Sequence, residues 1–159
     1  MSAAAPRGLG SVLDRLLPPP VDEQGRPLPP LKALKAAVQR DLEALLNARR
    51  PWASVPKPFA ALNDSMLGYG LPDFAAGAFN AAARREALCR EIAQAIARFE
   101  PRLEQVVVRL RDRPDTMEPV LRLKIEAVLR VAGTDEPVGF ETHLDTTTTD
   151  LVVESESRV

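Results

Sequence analysis

Aromatic side chains make up only 4% of the chain, which argues against stacking platforms for bases or sugars. Its single cysteine, Cys89, has no partner for an internal disulfide and fits a reducing compartment. The single histidine, His143, lies far from Cys89 in sequence, so no zinc spacing exists and no metal or cofactor is expected. A net charge of −1 gives no general pull toward nucleic acid or an anionic membrane. No stretch approaches the roughly 20 apolar residues of a membrane span, so no direct membrane insertion is expected. Asp14 and Arg15 interrupt the apolar run near the N-terminus. No signal peptide is read there, and the cytoplasm is the expected address.

What is present suits one soluble domain. At 159 residues and 45% apolar, the chain can bury a real core. Its fifteen prolines cluster outside the periodic segments. Residues 1–30 read as a flexible N-terminal segment with a Pro-rich connector, built on Pro18-Pro19-Pro20, Pro27, Pro29 and Pro30. One or two helical turns are expected at 12–17. Residues 31–154 form the folded domain, and 155–159 a flexible tail.

Within the domain the apolar period changes from helical to extended. Leu31, Leu34, Val38, Leu42, Leu45 and Leu46 predict a helix over 31–49. Arg49 and Arg50 suit its C-terminus and Pro51 stops it. The stretch 51–77 reads as packed irregular structure carrying Trp52, Phe59, Tyr69 and Phe74, with a helical turn near 64–67. A second helix is predicted over 82–99, with Cys89 beside its apolar face as an inert core thiol. Strands follow at 105–110, 121–131, 138–144 and 151–153, the second showing the cleanest alternation. The fold class is therefore α+β: N-terminal helices, then an antiparallel β-meander, in a single domain.

Catalytic signals are weak. Gly68-Tyr69-Gly70 is too short for a phosphate loop and reads as a tight turn with positive φ at Gly70. A Cys–His nucleophilic pair is poorly supported, because Cys89 sits near the apolar face of its helix; His143 falls on the polar face of its strand and reads as an exposed imidazole. Glu91, Glu100, Asp112 and Glu141 are the acids available for glycoside cleavage, which needs two carboxyls facing across a sugar-sized cleft. Arg102 beside Glu100 would favour the charged carboxylate, which does not suit a general acid. No catalytic residues are assigned.

The most informative unit is Glu100-Pro101-Arg102. Pro101 ends the second helix and pushes Glu100 out of the α region. In an extended segment Glu100 and Arg102 then project to one side as a fixed pair. One reading is a helix stop with incidental charges. The other is a rigid paired-charge site for a protein partner. As a surface pair it contributes only about 0–1 kcal/mol to folding.

Several stretches together resemble the TssE family, the small wedge subunits of the type VI secretion baseplate, similar to lysozyme-like wedge proteins of contractile phage tails. They are Leu13-Asp14-Arg15-Leu16-Leu17, Arg40-Asp41-Leu42-Glu43 with Leu45-Leu46-Asn47 and Arg49-Arg50, Ser65 with Tyr69 to Phe74, and Phe99-Glu100-Pro101-Arg102-Leu103. Val138-Gly139-Phe140-Glu141-Thr142 fits the C-terminal half. Gly68 departs from the pattern, which suggests Asn.

The resemblance implies a structural protein at the cytoplasmic face of the inner membrane. Its partners are TssF and TssG in the wedge, TssK nearby, and the TssB–TssC sheath whose assembly it helps start. It places Glu100, Pro101 and Arg102 at the wedge-core contact. The hairpin at 138–153 is expected near the sheath-facing edge. The alternative function is a muramidase-like glycoside hydrolase acting on peptidoglycan.

Overall fold

The structure, a computed structural model, describes residues 11–50, 57–72, 82–111, 120–131, 135–145, 148 and 150–155. The readings made for residues 1–10, Trp52, Phe74 and Asp112 fall outside that set, as does most of the turn after Asp145.

Helix α1 is Val12–Leu16, closed at its start by a capping box between Ser11 and Asp14. Helix α2 is Pro30–Asn47, with proline at its first turn, where a missing N–H costs nothing. Its inner face is Val38, Leu42, Leu45 and Leu46, all buried. Leu31, read as part of that stripe, is exposed at the helix start. The helix ends before Arg49 and Arg50. Those residues form strand β1, Arg49–Arg50, which pairs in parallel with β2, Leu71–Pro72. Pairing across the chain overrides the helical reading of the two arginines, and the Leu71 N–H donates to the Ala48 carbonyl at 2.9 Å.

Two 3-10 segments, Lys57–Asp64 and Met66–Gly68, connect α2 to β2. Two glycines there are fixed by close approach. A Cβ on Gly68 would lie 2.2 Å from the Asn63 carbonyl oxygen. The Asn that the family pattern suggests at 68 therefore has no room. Gly70 adopts φ +98°, and a Cβ there would lie 2.3 Å from the Ala48 carbonyl oxygen. The positive φ read for Gly70 is thus observed.

Helix α3 is Ala82–Phe99, burying Leu88, Ile92, Ala95 and Ile96. The meander follows as β3 Leu103–Leu110, β4 Val120–Leu129, β5 Glu136–Asp145 and β6 Leu151–Ser155, antiparallel in the order β3-β4-β5-β6. Helices first and an antiparallel sheet after make this the α+β single domain that the periodicity predicts. Alternation puts Leu121, Leu123, Ile125, Ala127 and Leu129 inward, opposite Val138, Phe140, Thr142 and Leu144. Both long helices lie on that face, α2 against β6 and α3 against β3. Each buried Leu, Ile or Phe contributes about 1.5–3 kcal/mol relative to exposure. His143 faces Arg122 across the β4–β5 ladder, on the polar side as read.

Strand β3 begins two residues earlier than its alternation predicts. A bulge between Glu104 and Val107 breaks the register, and Gln105 sits there at φ 53°. Bulges add local twist and re-aim a strand end. This one lies directly after the Glu100-Pro101-Arg102 unit.

The outer edge of β6 is covered. The Asn47 side chain accepts from the Leu151 N–H and donates to the Leu151 carbonyl, both at 2.8 Å. Gln39 donates to the Val153 carbonyl at 2.7 Å. Side chains of α2 thus satisfy backbone groups that an edge strand otherwise leaves open.

Thr142 is fully buried, and its hydroxyl has no hydrogen-bond partner. An unpaired buried hydroxyl carries its desolvation cost without return. Thr142→Val should raise the stability of the fold by about 1 kcal/mol in urea unfolding. A loss of similar size would show that the hydroxyl is bonded in solution.

Candidate functional site

The site begins where α3 stops. The last helical bond runs from the Glu100 N–H to the Ile96 carbonyl at 2.8 Å. Pro101 has no N–H to extend it. The Leu103 N–H then turns back to the Glu100 carbonyl at 3.1 Å, closing a tight elbow into β3. The segment is therefore a turn and not the extended run that the sequence implies. Glu100 and Arg102 still meet, because the Glu100 carboxylate folds over the turn. It accepts from Arg102 Nε at 2.6 Å, Nη2 at 2.5 Å and the Arg102 backbone N–H at 3.3 Å.

Burial changes the meaning of this pair. Glu100 is only 4% exposed, and the Arg102 side chain only 10%. Two further carboxylates complete the cluster. Asp41 of α2 accepts from Arg102 Nη2 at 2.6 Å. Asp14 of α1 stands 3.5 Å from Arg102 Nη1, a charge contact without a hydrogen bond. Arg40 joins the two aspartates, donating to Asp14 at 2.7 Å and to Asp41 at 2.7 and 3.0 Å. Three acids and two arginines thus tie α1, α2 and the elbow together. The expectation of a rigid pair at the surface is corrected in its placement: Glu100 and Arg102 are internal, and their further partners, Asp41 and Asp14, are distant in sequence.

The charges on Arg102 and Asp14 follow from these contacts. Burial disfavours charge on Arg102, but hydrogen bonds to Glu100 and Asp41 outweigh it and raise its pKa. Burial also opposes the Asp14 carboxylate. Hydrogen bonds from Arg40 and Ser11 prevail and lower its pKa. Tyr69 packs edge-on against Phe99 with ring centroids 5.3 Å apart, beside the cluster. Its phenol is pushed up by burial and by the charges of Asp41 and Glu100. Pro101 is exposed at the outside of the elbow.

Of the other acids weighed for glycoside cleavage, the two among the described residues lie in separate ion pairs. Glu91 binds Arg50 at 2.6 Å, and Glu141 binds Arg111. With Glu100 on Arg102, each of these three carboxylates faces its own arginine. Cys89 is half-buried on α3, packed against the core, and burial raises its thiol pKa. No helix among the described residues is long and apolar enough to cross a membrane.

The sequence named Glu100, Pro101 and Arg102 but not the partnership of Asp14, Arg40 and Asp41. The available signal was the resemblance itself, since Asp14-Arg15-Leu16 and Arg40-Asp41-Leu42 are among the pieces that carry it. Three of those separate pieces converge on this cluster.

Two outcomes test this arrangement. Arg102→Ala leaves Glu100 buried and uncompensated, so it should cost about 3–5 kcal/mol in urea unfolding of the isolated chain. A loss below about 1 kcal/mol would return the pair to the surface. The lowered Asp14 pKa has a defined sign. Its stabilisation is full above the ordinary aspartate pKa of about 3.9 and is lost as pH falls through the lower folded value. The stability gap between the parent and Asp14→Asn should therefore be constant near neutrality and close in acid. Melting curves across that range check it, and a gap that persists in strong acid refutes it.

Among curated proteins, none matches the chain. A family model described as baseplate wedge protein gp25 matches residues 32–134. That range runs from α2 through β4 and contains Arg40, Asp41, Glu100 and Arg102. With well over half of its length matched, the chain belongs to the baseplate wedge protein gp25 family, which includes TssE, and its role is a structural one in a baseplate.

Proposed function

We propose that the chain is the TssE-type wedge subunit of a type VI secretion baseplate. It joins the TssF–TssG wedge core, near TssK, to the TssB–TssC sheath and helps sheath assembly begin. It acts at the cytoplasmic face of the inner membrane and without catalysis. The observation that carries this reading is the convergence of Asp14, Arg40-Asp41 and Glu100-Pro101-Arg102 on one rigid elbow.

The elbow suits a partner contact. Its shape is set from within by the Arg102 bonds, while Pro101 stands in solvent. Such preorganisation lowers the ordering cost of association. Glu100 and Arg102 therefore serve the wedge contact by holding its geometry, and Pro101 offers the touching surface. Separate neutralisation of Glu91, Glu100 and Glu141 by arginines supports an adaptor over a muramidase-like enzyme. The expected sheath-facing edge at 138–153 is narrowed by the cover over β6. Strand addition there has to displace Asn47 and Gln39.

The test must spare the buried pair. Pro101→Glu puts a charge at the exposed elbow and should melt like the parent. It should fail to co-purify with TssF–TssG, by at least about tenfold if an interface charge is left unpaired. Retained co-purification of the folded variant removes the elbow from the contact. A parent chain that itself binds neither TssF nor TssG removes the wedge assignment.

A further inference from the structure

Helix α1 and the connector after it lie on the body of the fold without entering its core. No described residue in 11–29 is buried, and the core begins at Val38. The large side chains of α1 face outward: Val12 is 75% exposed and Leu16 77%, and Leu13 and Leu17 are exposed as well. An apolar cleft of about 590 Å³ lies between the connector and α2, with Leu17, Pro18, Leu34 and Val131 in its lining. Packing across that cleft is loose, so dispersion holds the connector weakly.

What binds α1 to the body is charge. Asp14 accepts from Arg40 at 2.7 Å and stands 3.5 Å from Arg102 Nη1. Among the described residues, no other hydrogen bond joins 11–28 to α2, α3 or the sheet. The remaining bonds of the segment are internal. The Leu17 N–H donates to the Leu13 carbonyl at 3.0 Å, the Leu28 N–H to the Pro20 carbonyl at 2.9 Å, and the Arg26 N–H to Asp22 at 2.8 Å. The segment is thus built as a unit with one fastening. A five-residue helix does not persist alone in water, so α1 melts whenever that fastening opens.

We propose that α1 and its connector form a latch, closed by Asp14 on Arg40 and Arg102, and that opening it loosens the Glu100-Pro101-Arg102 elbow. With the latch closed, Arg102 faces three carboxylates. With it open, Glu100 and Asp41 remain, and Arg40 loses the acid that ties it to α1. Local opening in one segment then couples to the stiffness of another through a shared charge. The device lets the chain soften its candidate contact surface while the core stays folded. It belongs to the isolated chain, so loss of the wedge reading leaves it standing.

Amide hydrogen exchange in the full chain tests it. The Leu17 N–H reports the latch. The Leu103 N–H, bonded to the Glu100 carbonyl at 3.1 Å, reports the elbow, and the amides of β4 and β5 report the body. Arg40→Gln removes the fastening and should speed exchange at Leu17 by about tenfold or more. Ser11→Ala weakens α1 at its N-terminus, losing the 3.2 Å cap on the Asp14 N–H while leaving Arg40 and Arg102 in place. It should speed Leu17 by about fivefold and Leu103 by a smaller factor. The amides of β4 and β5 should keep their parent rates in both variants. In the parent chain, raising NaCl from about 0.05 to 1 M should also speed Leu17, because salt screens the fastening. An unchanged Leu17 rate in Arg40→Gln or across the salt series overturns the charge fastening. A faster Leu17 beside an unchanged Leu103 in Ser11→Ala overturns the coupling to the elbow. An equal rise in β4 and β5 shows that α1 opens only with the whole fold, and overturns the latch. The salt series applies these readings without any substitution, so a variant that fails to fold does not shield the proposal.

Discussion

The Arg102 guanidinium is held by carboxylates from three separate stretches of chain. Glu100 grips it from within the turn, Asp41 from α2, and Asp14 from α1 at longer range. A buried guanidinium is costly unless its charge and its donors are answered. That requirement fixes where α2 lies relative to the end of α3, because Asp41 must reach Nη2. It also fixes α1, whose Asp14 is shared between Arg40 and Ser11. Apolar contact between α2, α3 and the sheet supplies most of the folding free energy, but it is non-directional. The ion cluster supplies direction.

Polar side chains of α2 do a second job of the same kind at the far side of the sheet. Asn47 bonds both backbone groups of Leu151, and Gln39 bonds Val153. One helix therefore carries three kinds of information. Its apolar stripe seats it on the core. Arg40 and Asp41 lock it to the elbow, and Gln39 and Asn47 lock it to β6. The register of α2 along its axis follows from these fixed points, since sliding by one residue would break all of them. The consequence for the sheet is that the outer edge of β6 is covered by side chains of α2.

Which parts of this were legible in the sequence depends on how local their cause is. Helix α3 and strands β4 to β6 follow from periodicity, because each residue's position depends on neighbours three, four or two away. The tight turn at Gly70 was also local. Arg49 and Arg50 were misread because two-residue strands show no alternation, and their pairing with Leu71 and Pro72 is a long-range event. The bulge at Gln105 leaves no pattern, since an extra residue in a strand resembles an early start of the next alternation. Glu100 and Arg102 were correctly joined, yet for an incomplete reason. An extended geometry was inferred from Pro101, whereas the bond is made across a turn and completed by acids about sixty positions away or more.

Burial of that pair bears on what a structural wedge requires. A surface ion pair is free to rearrange as salt or partners change, and fixes little. A buried network with its donors answered has few alternative arrangements, so it holds its geometry under load. The elbow joins a helix that belongs to the core with the first strand of the sheet, and Pro101 projects from its outer side. A partner touching Pro101 therefore meets a shape held by α1, α2 and α3 together. Displacing Asp41 would release Arg102 and, with it, the start of β3. Under the proposed wedge role, the charges act through the stiffness they give the elbow.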